Sequence, residues 1–134
     1  MPRLKKPHPV RPGDLIGVAA PGFAVDRARL EVGAERLRSA GYRVRWRPDL
    51  LSTEGYLAGT DERRASELME LVDDPEVAAI VCARGGYGAH RIMSRLDAAR
   101  VRAAAKPLLG FSDVTTLLLW QLRVARLVGF HGPM

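Results

Sequence analysis

The sequence predicts a three-layer α/β fold, with a mostly parallel five-stranded sheet between helices on both faces. Two observations carry this. Short apolar runs of strand length alternate along the chain with longer stretches of helical period. Glycine, proline or a capping side chain stands at most of the changeovers. Strands joined by helices run parallel, through right-handed crossovers.

Each element has its own signal. LIGVAA, residues 15–20, is a short apolar run closed by Pro21-Gly22, as a buried strand would be. Asp26 caps a helix running to about Ala40, with Leu30, Ala34 and Leu37 on one face and Gly41 as its stop. Tyr42, Val44 and Trp46 alternate with Arg43, Arg45 and Arg47, which predicts a second strand with one wet face near the sheet edge. Thr60 caps the next helix, and Asp61 and Glu62 suit its positive end. Ala65, Leu68, Met69 and Val72 form its core face, and Pro75 ends the unit. Val77 to Cys82 is continuously apolar, as in a strand covered on both faces. The loop ARGGYG leads to a third helix holding Ile92, Met93 and Leu96, and a weak helical piece spans roughly residues 98–105. Residues 107–111 read as a fourth strand, 113 to about 126 as a fourth helix, and 127–130 as a fifth strand.

Five such strands suggest a flavodoxin-like order, in which ligands bind beyond the carboxyl ends of the strands. That rule brings AAPGF, ARGGYG, GFSD and FHGPM to one edge of the sheet.

Composition sets the class. A chain of 134 residues is close to the usual size of one domain, so residues 1–134 are taken as a single unit. At 47% hydrophobic and 27% charged it is neither disordered nor fibrous. The net charge of +6 comes mainly from arginines scattered over several segments. Aromatics are 6% and no basic stripe with interleaved aromatics is present, so nucleic acid is not an expected partner. An anionic small substrate fits the charge equally well. Cys82 is the lone cysteine, inside VAAIVC; it reads as a buried thiol and fits a reducing compartment. No signal-peptide core follows the basic, proline-rich start, and no run approaches the ~20 apolar residues of a membrane span. A cytoplasmic protein with no membrane partner is expected.

Chemistry concentrates in three segments. In GFSD, a strand-to-helix turn raises Ser112 above the sheet, as a nucleophile elbow does, with free N–H groups behind it for an oxyanion. The second glycine of the G-x-S-x-G elbow is absent, and Ser112 or Asp113 serving as a helix cap explains the same residues. In ARGGYG, Gly85, Gly86 and Gly88 let the backbone turn sharply against a ligand. The spacing is neither G-x-G-x-x-G nor a Walker loop, so a glycine N–H donating to an oxyanion stands beside phosphate binding. Arg84 fits either a forked pair with a substrate carboxylate or a surface ion pair, and Tyr87 shares its loop. His131, just past strand five, is the internal histidine placed to act as a base or to serve a structural role. His8 reads as solvated and His90 as exposed on a first helical turn; no histidine pair has metal-ligand spacing, so no metal site is expected.

Together VAAPGF, ARGGYG, KPLLGFSDVTTLLL and FHGPM, in this order, resemble the N-terminal half of the LD-carboxypeptidases, a serine peptidase family, from about Val10 to Met134. The resemblance implies that Ser112 is the nucleophile of a G-[YF]-S-D motif. It implies an oxyanion hole from the backbone N–H of Asp113 and one from the Gly85–Gly86 turn. Arg84, Tyr87 and His131 are then candidates for substrate contact. The implied reaction is hydrolysis of the amide between an L-centre and a terminal D-amino acid, with a cytoplasmic murein tetrapeptide as the usual substrate and no cofactor. The family's glutamate and histidine come from a C-terminal domain that these 134 residues do not contain. The implied lone chain therefore lacks its general base. Family members usually dimerise, which leaves a homodimer as an open expectation. The competing reading is a non-catalytic flavodoxin-like module that binds an anionic small molecule at the Arg84–Gly88 loop.

Overall fold

A computed structural model describes residues 1–133; Met134, the last residue of FHGPM, lies outside them. Five parallel strands form one sheet in the order β2-β1-β3-β4-β5. They are β1 (Leu15–Ala19), β2 (Arg43–Arg45), β3 (Val77–Cys82), β4 (Leu108–Gly110) and β5 (Phe130–His131). This is the flavodoxin-like order expected from the alternation of strands and helices, and β2 is indeed an edge strand with Arg43 and Arg45 exposed.

Alternation of side chains across the pleat divides the core in two. Leu15, Ala19, Ile80, Cys82 and Leu108 face α2 (Asp61–Asp73), α3 (Ala98–Ala104) and α4 (Thr115–Trp120). Val18 and Ala20 face the other way, with Val44 and Trp46, toward Leu30 of α1 (Arg27–Ser39). The caps fall where their side chains predict. Asp26 accepts the Arg29 N–H at 2.9 Å and Thr60 Oγ1 accepts the Arg63 N–H at 3.1 Å, each satisfying a first-turn donor.

Three elements differ from their sequence signals. The expected third helix is a 3₁₀ segment, Ala89–Arg95. It starts from Gly88 in a left-handed conformation with no side-chain cap, and its bonds, such as Leu96 N–H to Met93 O at 3.3 Å, close tight i to i+3 turns. The expected fourth helix has the right span but three pitches: a 3₁₀ turn at Ser112–Val114, then α4, then a π-turn at Gln121–Ala125. The widening follows Gln121, which is buried. Its carbonyl accepts the Leu127 N–H at 3.1 Å and its Nε2 donates to Val128 O at 3.2 Å.

The fifth strand begins three residues later than expected, at Phe130. The backbone at Leu127 and Val128 is taken by the lead-in: Lys5 N–H donates to Arg126 O at 2.8 Å and Val128 N–H to Lys5 O at 2.9 Å. The Pro/Lys/Arg lead-in is thus strapped along the sheet edge. The shift also places His131 within β5, paired with Gly110, and not past the strand.

Cys82 is fully buried, and burial pushes its thiol well above the ordinary range. Because thiolate is the reactive form, the native chain is expected not to react with iodoacetamide at pH 8, and to react fully once unfolded. Mass spectrometry with and without denaturant checks this; rapid labelling of the native chain would mean that β3 opens locally.

Candidate active site

β4 delivers Ser112. Phe111 is extended, and Ser112 then turns to φ 55°, in the left-handed region that few non-glycine residues occupy. The hydroxyl-bearing residue is exposed at the sheet's carboxyl edge. Neither Ser112 nor Asp113 caps the helix behind: the N-cap of α4 is Val114, and no side chain caps the helix there. The carboxylate of Asp113 turns the other way, accepting the Ala89 N–H at 2.9 Å.

The glycine loop meets the serine directly. A β-carbon built on Gly85 would lie 2.7 Å from Ser112 Cβ and 3.1 Å from its Oγ, so only glycine lets the two segments touch. Gly86, at φ 118°, lies against Phe23, whose ring would be 2.3 Å from a β-carbon there. AAPGF closes the third side: a β-carbon on Gly22 would sit 2.6 Å from Asp113 Oδ2 and 3.0 Å from Tyr87 O. AAPGF, ARGGYG and GFSD therefore converge as the strand order requires. An open groove of about 1000 Å³ runs from Ser112, Gly85 and Gly86 past Phe111 to Arg29 on α1.

The remaining candidates have these positions. Arg84 Nη1 donates to Ala24 O at 3.1 Å and its guanidinium sits 5.2 Å over the Phe23 ring. Tyr87 is half exposed. Its ring lies between Tyr56 at 6.1 Å and His90 at 4.9 Å, extending an aromatic row that begins at Phe23. His131 is exposed on β5, and among the described residues no hydrogen bond joins it to Ser112. No group of three or more histidine, cysteine or acidic side chains suited to a metal occurs among the described residues.

The apolar pattern of α2 hid the residues beneath the site. Arg64 and Glu67, one helical turn apart on the helix, are both fully buried. Glu67 Oε1 accepts the Ala20 N–H at 2.7 Å and Oε2 accepts Arg63 Nη1 at 2.9 Å. Arg63 also donates to Ala58 O at 2.6 Å and Ala20 O at 3.1 Å. Burial pushes the Glu67 carboxyl above the usual carboxylate range, against the pull of Arg63. Charged residues are surface by default, so spacing alone placed these outside the core. Their only signal was an i, i+3 pair of opposite charges flanking Ala65.

Known proteins share this fold. Residues 16–132 match the family model described as the LD-carboxypeptidase N-terminal domain. The chain belongs to the LD-carboxypeptidase family. A probable murein peptide carboxypeptidase of Bacillus subtilis is 38% identical over 96% of this chain and 40% of its own length. The murein tetrapeptide carboxypeptidase of Pseudomonas aeruginosa is 35% identical over 89% of this chain and 39% of its own. The crystal structure of muramoyltetrapeptide carboxypeptidase from Oxalobacter formigenes superposes with a TM-score of 0.81 at 32% identity, covering 90% of this chain and 40% of that one. The LD-carboxypeptidase chain described here thus spans about two fifths of the length of these relatives. No helix among its described residues is long and apolar enough to cross a membrane.

Proposed function

We propose that residues 1–134 are the nucleophile-bearing domain of a serine LD-carboxypeptidase that removes the terminal D-alanine from a murein tetrapeptide in the cytoplasm. The observation that carries this is Ser112: strained, exposed and free of any capping role, with its side chain against Gly85. Ser112 Oγ attacks the scissile carbonyl carbon, and the carbonyl oxygen takes up the negative charge. The N–H of Asp113 and one from the Gly85–Gly86 turn receive that oxyanion. A base must accept the hydroxyl proton and pass it to the departing D-amino acid as the C–N bond breaks, after which water hydrolyses the acyl-serine ester and restores Ser112. Among the described residues no candidate base is bonded to Ser112, and the family resemblance assigns this task to a glutamate and a histidine of a C-terminal domain. Arg84 lines the groove that reaches the serine; it, Tyr87 and His131 are the candidates for substrate contact, and no cofactor is required.

Binding of an anionic small molecule at the Arg84–Gly88 loop has less support. The Arg84 guanidinium is engaged by Ala24 O and Phe23, and the Ala89 N–H at the end of the loop is taken by the Asp113 carboxylate.

Release of D-alanine from a murein tetrapeptide tests the proposal, using this chain alone and joined to the C-terminal region of the Bacillus subtilis relative. The expected result is background release from the first and turnover from the second. Robust turnover by the 134 residues alone would overturn the view that the base lies outside them, and His131 would be the first residue to examine. No turnover from the joined protein would overturn the substrate assignment.

A further inference from the structure

Arg64 is fully buried, yet its hydrogen bonds go chiefly to backbone carbonyls. Nη1 donates to Pro21 O at 2.7 Å and to Gly88 O at 3.0 Å, Nε donates to Gly59 O at 3.3 Å, and Nη2 pairs with the Asp61 carboxylate. One guanidinium therefore ties together the loop after β1, the segment before α2 and the glycine loop after β3. Asp61 is itself shared with Arg91, whose Nε and Nη2 lie 3.1 and 3.3 Å from its oxygens.

The bond to Gly88 has a counterpart. Gly88 O and the Ala89 N–H belong to one peptide unit. Arg64 Nη1 holds the oxygen beside the Arg91 N–H, which lies 3.1 Å from it, and Asp113 Oδ2 holds the N–H at 2.9 Å. A planar peptide gripped at both polar atoms by opposite charges cannot rotate without losing both bonds. Three residues upstream of Gly88, Gly85 touches Ser112; one residue downstream of Ser112 stands Asp113. The clamp thus closes a short circuit through the serine and the glycine turn. A buried charge is a poor source of stability, since an apolar side chain of similar volume commonly serves as well. What the charge supplies here is a single orientation of one peptide.

We propose that Arg64 is a positioning residue, which together with the Asp113 carboxylate locks the Gly88–Ala89 peptide and so holds the Gly85–Gly86 turn in register with Ser112. The lock concerns this chain's own loops; its catalytic consequence rests on the reading of Ser112 as nucleophile.

Amide hydrogen exchange followed by NMR on this chain tests it. In the wild type, the Ala89 amide is expected to exchange as slowly as β3 amides such as Ile80, although it opens a 3₁₀ segment and its bond goes to a side chain and not to a strand partner. Fast exchange there would overturn the proposal at once. In Arg64→Met, Ala89 is expected to exchange roughly 10- to 100-fold faster relative to Ile80, with the Gly85 and Gly86 signals shifted. A change of equal size at Ala89 and Ile80 would mean a general loss of stability and would overturn it. Should Arg64→Met not fold, Arg64→Lys decides by the same comparison. In the protein joined to a C-terminal region, Arg64→Lys is expected to lower kcat about tenfold or more with little change in KM, as for a displaced oxyanion donor. A raised KM with unchanged kcat would assign Arg64 to substrate binding and overturn the positioning role. If the joined protein releases no D-alanine at all, the functional reading fails while the exchange pattern still stands or falls by itself.

Discussion

Replacing Ser112 with glycine is expected to abolish turnover and to leave the fold as stable as before, or more so. At φ 55° a serine side chain is held in a conformation that costs an L-residue about 1 kcal/mol or more, whereas glycine enters it freely. The extra freedom glycine gains in the unfolded chain costs roughly 0.5–1 kcal/mol, so the net change is near zero or slightly stabilising. Activity behaves oppositely. Removing the nucleophile of a serine peptidase lowers kcat on the order of 10⁴-fold or more. The two readouts are the melting temperature of the 134-residue chain and D-alanine release by the chain joined to a C-terminal region. A structural serine would reverse the pattern, with a clear loss of stability and little loss of activity.

The second large effect belongs to Gly86→Ala. At φ 118° a side chain is strained whatever the space, and its β-carbon would lie 2.3–2.7 Å from three atoms of Phe23. Backbone strain of about 1–3 kcal/mol and overpacking of about 1–3 kcal/mol together predict destabilisation near 3 kcal/mol. For a domain of this size that lowers the melting temperature by roughly 10 °C. If the loop instead shifts to relieve the clash, the Gly85–Gly86 turn leaves Ser112, and catalysis is expected to fall about 100-fold or more through the lost oxyanion donor. Gly33→Ala, in the middle of α1 with nothing within 4 Å of the added carbon, is the control: it is expected to be neutral or stabilising by up to about 1 kcal/mol. Equal behaviour of the two variants would show that the glycine loop is not tightly held.

Much of the architecture was legible because its causes are local. An apolar run such as VAAIVC has to be buried on both faces, and Asp26 and Thr60 satisfy donors three residues away, so β3 and the starts of α1 and α2 follow from neighbouring residues alone. Strand–helix alternation then dictated a parallel sheet and the edge at which AAPGF, ARGGYG and GFSD would meet. Ser112 was legible as a candidate for the same reason, though a cap and a nucleophile look alike in four letters.

What escaped the sequence depends on partners far along the chain. The late start of β5 follows from Lys5 pairing with the backbone around Leu127, more than a hundred residues away. The π-turn follows from where Gln121 finds its bonds, and the 3₁₀ segment after Gly88 from a loop held at both ends. The burial of Arg64 and Glu67 runs against the ordinary preference of charged residues, and it is tolerated because loop carbonyls and an amide above α2 satisfy their charged groups. The chain's own letters therefore determined the layers, the parallel sheet and the edge that bears Ser112, and suggested the strand order. Tertiary structure alone decided that Asp113 reaches across to Ala89, that Arg64 meets it on the same peptide, and that Gly85 lies against the serine, because each is a contact between groups whose spacing in sequence carries no period.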